Sequence, residues 1–245
     1  MLALAIAVTL AGMPSAAATT AEDCRNGMAA ARADPPRSAE AVEKLGRCID
    51  RAALPPPFLA YALQMHALSL DALGRTAEAA DEMQRAIQLV PPQDVYPWVA
   101  LADLRRRLHR YEDALDALSH ARTLDEDGPG TGPGMAVGFH TAWTLADMGR
   151  HRDAIAAITA ALPRQPLYGP AFARRAYSYE ALGDTEHARA DLERAAALVA
   201  PNDRSAEMKA ALVRLHVDDG HADAGAGPVA PAASTSKPDT PAPPR

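Results

Sequence analysis

The feature of this sequence that most restricts its fold is a short phrase that recurs in three places. The tetrapeptides at residues 72–75, 147–150 and 181–184 read ALGR, DMGR and ALGD. Each has glycine as its third residue, and glycine readily adopts the left-handed backbone conformation that closes many helices. The phrase therefore predicts three helices that end at the same point of a repeated unit.

The residues after each glycine predict a second helix in every unit. Alanine follows five residues after the glycine, a larger apolar residue four residues later, and a further alanine three residues beyond that. The three sets are Ala79, Met83 and Ala86; Ala154, Ile158 and Ala161; and Ala188, Leu192 and Ala195. Proline cannot continue a helix, so the second helices are expected to end before Pro91, Pro166 and Pro201.

A fourth copy lies between the first two, with His109 in the place of the glycine. It begins at Trp98 and continues after His109 with Ala114, Leu118 and Ala121. The second-helix alanines Ala79, Ala114, Ala154 and Ala188 are 35, 40 and 34 residues apart. The long interval contains the Gly- and Pro-rich residues 128–134, which predict an insertion in a loop that leaves the register intact.

These phrases resemble the tetratricopeptide repeat, W-x2-L-G-x2-Y…A-x3-F…P. The resemblance implies an all-α fold, a right-handed superhelix of stacked antiparallel helix pairs. It places four repeats within residues 59–201, at about 60–93, 95–128, 135–168 and 169–202. Small residues at the helix contacts would let the paired helices approach closely: Ala67, Ala102, Ala142 and Ala176 in the first helices. Gly138 departs from the pattern, since the family prefers a bulky aromatic residue there.

Composition agrees with tightly packed helices. Hydrophobic residues make up 48% of the chain but aromatic residues only 4%, so alanine supplies much of the apolar content. The net charge of -6 argues against a nucleic-acid partner, which would require a basic surface. The one basic triplet, Arg105–Arg107, is interpreted as a solvated helix face.

The first eighteen residues predict a signal peptide, residues 1–18. An apolar stretch from Leu2 to Leu10 precedes small residues that include the cleavage pattern Ala16-x-Ala18. No Lys or Arg lies before the apolar run, which departs from the usual signal, and an irregular N-terminal helix is the alternative. The run is too short to span a bilayer, so no membrane insertion is expected after signal removal.

The two cysteines, Cys24 and Cys48, are predicted to form a disulfide within a degenerate helix pair, residues 19–58. They lie at similar distances on either side of Pro35-Pro36, so antiparallel helices would bring them level. Exported proteins with an even number of cysteines usually pair them. A redox or metal role is the alternative, although the sequence has no C-x-x-C motif.

After the fourth repeat, residues 203–218 are predicted to form an amphipathic helix that caps the exposed end of the array. Residues 219–245 are rich in Gly, Ala, Pro, Ser and Thr. Such residues cannot bury enough apolar surface to offset the conformational entropy lost when a segment becomes ordered. This segment is predicted to be a disordered tail, and a Pro-rich partner-binding motif is the alternative.

Catalytic and metal-binding patterns are missing from the sequence. The eight histidines show neither an i, i+4 pair nor an H-E-x-x-H motif, and no serine lies in a G-x-S-x-G elbow. The Gly- and Pro-rich residues 128–134 have no following Lys-Ser or Lys-Thr, so they do not resemble a phosphate loop. The sequence therefore predicts a protein that is not an enzyme and needs no cofactor or metal.

The resemblance implies that the first helices line an inner groove that binds another polypeptide. When the residues that pack between helices are placed on the far side of the first helices, the following residues are expected to face the groove: Tyr61, Gln64, Leu68, Tyr96, Asp103, Arg106, Phe139, His140, Trp143, Asp147, Arg174, Tyr177 and Glu180. Phe139, Trp143 and Tyr177 would form an aromatic strip, unless they pack against the next repeat instead. The carboxylate clamp of some tetratricopeptide co-chaperones is absent, because only Arg174 matches it.

The sequence is therefore identified as a member of the tetratricopeptide repeat family, of the exported bacterial type. Its expected function is to hold a partner protein or peptide of unknown identity in the groove, in the periplasm or outside the cell. A self-associating structural protein that uses its terminal caps is the alternative. An enzyme or solute-binding protein that uses residues 139–143 is a more distant one.

Overall fold

The computed structural model describes residues 16–51, 54–126 and 134–217, with side chains from residue 20 onward. Residues 1–15 of the predicted signal peptide, the inserted residues 127–133 and the predicted tail lie outside the described residues. Within those ranges the chain forms α-helices and two short 3₁₀ turns, without a strand. The helices are α1 (Ala16–Ala31), α2 (Ser38–Arg51), α3 (Pro56–Ala72), α4 (Thr76–Leu89), α5 (Tyr96–Arg107), α6 (Tyr111–Glu126), α7 (Met135–Asp147), α8 (His151–Ala161), α9 (Gly169–Ala181), α10 (Thr185–Leu198) and α11 (Ala206–Arg214).

The helices pack in consecutive pairs, and each pair contacts the next, so the predicted all-α solenoid is confirmed. Gly74, Gly149 and Gly183 close α3, α7 and α9 with φ of 78°, 76° and 79°. His109 closes α5 in the same way with φ of 58°, as its place in the repeat predicts. These residues turn the chain from the first helix of a pair into the second.

Small residues lie at the centre of every pair. The alanines predicted at the helix contacts are fully or almost fully buried: Ala67, Ala102, Ala142, Ala176, Ala79, Ala114, Ala154 and Ala188. Larger apolar side chains such as Met83, Ile158 and Leu192 fill the space around them. At Gly138 the helices α7 and α8 come very close, since a Cβ there would lie 2.3 Å from the Ala161 Cβ. This close approach accounts for glycine where the repeat favours an aromatic residue.

The N-terminal pair, α1 and α2, is joined by a disulfide between Cys24 and Cys48. Arg47 of α2 also donates two hydrogen bonds to the Asp23 carboxylate of α1, at 2.9 and 3.1 Å. The Arg47 guanidinium holds the pKa of Asp23 below its usual range. A covalent bond and an ion pair thus hold together two helices whose shared apolar core is small.

Helix α11, within the segment predicted as a cap, has the geometry of the first helix of a further unit. His216 adopts φ of 52°, and Val217 donates a hydrogen bond to the Leu212 carbonyl at 2.9 Å, as in the other first helices. Lys209 lies seven residues before His216, where the four repeats have a buried alanine. An exposed lysine at this position disfavours the packing of another helix, so α11 can end the array.

No helix in residues 16–51, 54–126 and 134–217 is long and apolar enough to cross a membrane.

Substituting two glycines with alanine is expected to change stability in opposite directions. Gly183→Ala should lower the free energy of unfolding by about 1 kcal/mol, because alanine is strained at φ of 79°. Gly46→Ala should raise it by about 0.5–1 kcal/mol, because Gly46 lies inside α2 and its Cβ would meet only the His66 ring nitrogen, at 3.7 Å. Urea unfolding followed by circular dichroism measures both changes in the free energy of unfolding. If the two changes have the same sign, the left-handed conformation of Gly183 or the helical position of Gly46 is wrong.

Candidate functional site

The first helices form a continuous face, since α1 contacts α3, α5 contacts α7, and α7 contacts α9, while an ion pair joins α3 to α5. We call this surface the first-helix face. Ion pairs connect its neighbouring helices: Arg107 of α5 with Asp71 of α3, Arg106 of α5 with Asp147 of α7, and Arg214 of α11 with Glu180 of α9. Charged groups on this face are therefore held in place before any partner arrives.

An apolar pocket of about 510 Å³ lies between α3 and α5, and we call it the anchor pocket. Its walls include the flexible side chains Met65 and Met83. Leu68 and Tyr96 border it with 46% and 72% of their surface exposed. Asp103 and His140 add a polar edge. Methionine side chains adapt to different partners, so this pocket suits an apolar side chain of variable shape.

Trp143 of α7 lies at the centre of the first-helix face, between guanidinium groups from the two neighbouring first helices. Arg106 of α5 and Arg174 of α9 each place the guanidinium carbon 4.0 Å from the centre of its ring. Phe139 meets the same ring edge-on at 5.7 Å. Because both arginines stack on the indole, a partner can reach only its remaining edge. We call Arg106, Trp143 and Arg174 the central cluster.

Carboxylates compensate the buried charge of the central cluster. Arg106 is only 8% exposed, and it binds Asp103 at 2.9 Å and Asp147 at 2.6 Å. Arg174 lies 3.5 Å from Glu207 of α11, and burial lowers the pKa of Arg174. Buried charges require such partners because they have lost their water. The interpretation of residues 105–107 as a solvated face is therefore wrong for Arg106, whose side chain joins two repeats.

Burial shifts the pKa of two further titratable groups on this face. The pKa of His140 is lowered because burial disfavours the charged imidazole, and Asp103 only partly opposes this shift. Burial also raises the pKa of Tyr177 to about 12. At neutral pH the imidazole and the phenol are both uncharged, so both present polar but neutral groups to a partner.

A second pocket, of about 200 Å³, lies between α7, α9 and α11, and we call it the C-terminal pocket. Phe139, Trp143 and Tyr177 supply aromatic surface, while Glu207 and Met208 come from α11. A third pocket, of about 380 Å³, lies between α1, α2 and α3 beside the disulfide. Arg32 lines that N-terminal pocket and donates a hydrogen bond to the Tyr61 hydroxyl.

Residues 169–198 match the family model of the tetratricopeptide repeat. This segment contains the fourth copy of the repeated phrase and spans α9 and α10 completely. This segment is therefore a tetratricopeptide repeat.

Solved structures agree with this tetratricopeptide architecture. MamA MSR-1 C2 is 21% identical, with a TM-score of 0.57, and the match covers 73% of this chain and 95% of that one. A second MamA crystal structure is 16% identical, with a TM-score of 0.58, and the match covers 72% of this chain and 90% of that one. YrrB, described as a TPR protein with an unusual peptide-binding site, is 18% identical, with a TM-score of 0.54, and covers 72% and 84%. No curated protein matches the sequence.

The tetratricopeptide array brings most of the predicted groove residues together. Gln64, Leu68, Tyr96, Asp103 and His140 line the anchor pocket. Phe139, Trp143, Arg174 and Tyr177 line the C-terminal pocket. Four predicted residues line neither pocket: Tyr61, which lies beside Arg32, Arg106 and Asp147, which pair with each other, and Glu180, which pairs with Arg214.

Sequence reasoning missed the part of the face that α11 and the residues just before it supply, namely Asp203, Ser205, Glu207 and Met208. The signal was present, because His216 follows Gly183 by 33 residues and continues the repeat period. It was missed because His216 is not glycine and no second helix was recognised after it.

Among the described residues, no group of three or more His, Cys, Asp or Glu side chains is placed to hold a metal ion.

Proposed function

We propose that this protein binds a segment of a partner polypeptide on its first-helix face and catalyses no reaction. The observation that carries the proposal is the anchor pocket, where Leu68 and Tyr96 stay exposed beside two methionines. Apolar side chains that border a cleft in this way are typical of binding surfaces. One apolar side chain of the partner would occupy this pocket.

The C-terminal pocket offers a second contact of different character. Its aromatic walls suit an apolar side chain, and Arg174 lies beside them. The Nε of Arg174 is buried and has no hydrogen-bond acceptor among the described residues. The guanidinium is held by its contact with Trp143 and by the Glu207 carboxylate, so it borders the pocket in a fixed position. A segment with two apolar anchors on either side of the central cluster fits both pockets.

The proposed location is the periplasm or the extracellular space. The Cys24–Cys48 disulfide supports this location, since such bonds persist in oxidising compartments and are rare in the cytosol. The predicted signal peptide agrees with it. In that setting the partner is another protein of the cell envelope, or a peptide released there.

Self-association is the alternative, and exposed apolar side chains near both ends of the array favour it. Phe58, beside the N-terminal pocket, is 67% exposed, and Val213 of α11 is 77% exposed. Light scattering separates the two proposals, because a chain that stays monomeric at micromolar concentration does not assemble through these ends.

Two matched substitutions, one within α3 and one at its C-cap, test the anchor pocket. Leu68 and Leu73 are 46% and 45% exposed, but only Leu68 borders the pocket. Peptides selected from a random display library on residues 19–245 serve as the ligand. Leu68→Asp should weaken their binding at least about tenfold, because a buried leucine contact contributes roughly 1.5 kcal/mol or more. Leu73→Asp should leave the affinity within about twofold. Equal effects of the two substitutions would place the binding surface elsewhere.

A further inference from the structure

A cleft of about 540 Å³ opens away from the first-helix face, at the junction of the second and third repeats. Helices α6 and α8 form its walls, and one side of α7 forms its floor. Its lining is mainly apolar: Leu115 and Leu118 from α6, Val137 and Gly138 from α7, and Ala157 and Ala160 from α8. We call it the outer cleft.

The second repeat shows what occupies the corresponding place there. Trp98 lies eleven residues before the left-handed residue His109, and His120 lies eleven residues after it. Their rings stack with centres 4.4 Å apart. In the third repeat the same two positions, counted from Gly149, hold Gly138 and Ala160. An aromatic stack in one repeat is thus replaced by two small residues that line the outer cleft.

The chain cannot readily fill this space with a side chain at position 138. A Cβ on Gly138 would lie 2.3 Å from the Ala161 Cβ and 3.3 Å from the Ala157 carbonyl oxygen. Glycine is therefore required for the approach of α7 to α8. The fourth repeat has Phe172 at the equivalent position, where it is half-buried against the core. An aromatic side chain thus occupies this position in the second and fourth repeats, whereas the third has glycine.

We propose that the outer cleft receives an aromatic side chain, tryptophan or phenylalanine, of a partner polypeptide. The inserted ring would take the place of the missing stack and contact Leu115, Leu118 and Ala160. Arg122 also lines the cleft, and a guanidinium favours contact with an aromatic face over an aliphatic one. The volume is within the range of cavities that hold small ligands. This site is separate from the first-helix face, so it does not depend on the function proposed above.

N-acetyltryptophanamide is a suitable probe, observed through the methyl NMR signals of Leu115, Leu118 and Val137. A saturable shift of these signals is expected, with a Kd of about 1 mM for a single side chain. N-acetylleucinamide should bind at least about threefold more weakly, as judged by the Kd from its own saturation curve. Ala160→Trp, which places an indole at the cleft from α8, should abolish the response. Ala156→Trp is the control, since Ala156 is exposed and outside the cleft.

Ser119→Trp fills the cleft from the opposite wall, so the test does not depend on the folding of one variant. The helical circular dichroism of each variant is compared with that of the unaltered chain. The proposal is overturned if the methyl signals do not shift, or if they shift equally in a folded cleft-filling variant. It is also overturned if the same signals move with protein concentration alone, because a second copy of the chain would then occupy the cleft.

Discussion

Replacing both Cys24 and Cys48 with serine is expected to lower the free energy of unfolding of the N-terminal helix pair by about 3–4 kcal/mol. The bond joins residues separated by 24 positions, and the chain-entropy model assigns about this value to a loop of that length. The pair depends on the bond because its core cluster of buried residues is confined to Ala30, Ala41 and Leu45. Native-state hydrogen exchange measures the effect helix by helix, with loss of protection expected first in α1.

Reductant supplies the control for this prediction. Dithiothreitol should reproduce the loss of protection in the unaltered chain and have no effect on the double serine variant. Protection in α9 and α10 should change little because, beyond their own pair, the main contacts of these helices are with α7, α8 and α11, far along the array from α1. If hydrogen exchange in α1 is unchanged after removal of both cysteines, the Arg47–Asp23 ion pair and the small core are enough to hold α1 against α2.

The repeat pattern predicted the fold in some detail because each unit obeys the same local rules. Gly74, Gly149 and Gly183 are needed where the backbone is left-handed, and alanine is needed where two helices nearly touch. Even the exception at His109 could be predicted, since the phase of the other copies fixes where the turn must come. Local chemistry repeated in register thus determined the helices and their pairing.

The contacts between repeats could not be predicted in the same way. Arg106 looked like one member of a solvated basic triplet, but it is buried against Trp143 and Asp147 of the next first helix. These partners lie about 40 residues along the chain, at a separation of 41 for Asp147. Only the three-dimensional stacking of α5 on α7 brings them together. The resemblance to the repeat family implied which helices line the face, whereas the polarity of the face depends on such distant pairs.

The outer cleft shows a third limit of sequence reasoning. Gly138 was recognisable as a departure from the repeat, but its consequence was not. A missing aromatic side chain leads either to closer helices or to an open space. The structure shows both, since α7 approaches α8 at Ala161 while α6 stays apart from them around the cleft. Neither result could be predicted from position 138 alone, because each depends on how α6, α7 and α8 pack together.

The two tryptophans of the chain give the sharpest test of the central cluster. Trp143→Ala is expected to lower the free energy of unfolding by about 3 kcal/mol, because it removes a half-buried ring and two guanidinium contacts at 4.0 Å. It also leaves the buried Arg106 without its aromatic neighbour. Binding of the display-selected peptides should fall at least about tenfold, since the ring edge lines the C-terminal pocket. Urea unfolding and fluorescence titration measure the two effects.

Trp98→Ala is the matched control, because Trp98 is also half-buried and stacked but lies away from the first-helix face. It should destabilise the chain by about 2–3 kcal/mol and leave peptide affinity within about twofold when measured well below the unfolding midpoint. Trp143→Phe retains an aromatic ring for Arg106 and Arg174, so it should recover more than half of the lost stability. If both alanine variants lose stability but keep equal affinity, Trp143 only joins the repeats and the partner binds elsewhere. If only Trp143→Ala loses affinity, the Trp143 indole has two roles. It joins α5, α7 and α9, and it forms part of the binding surface.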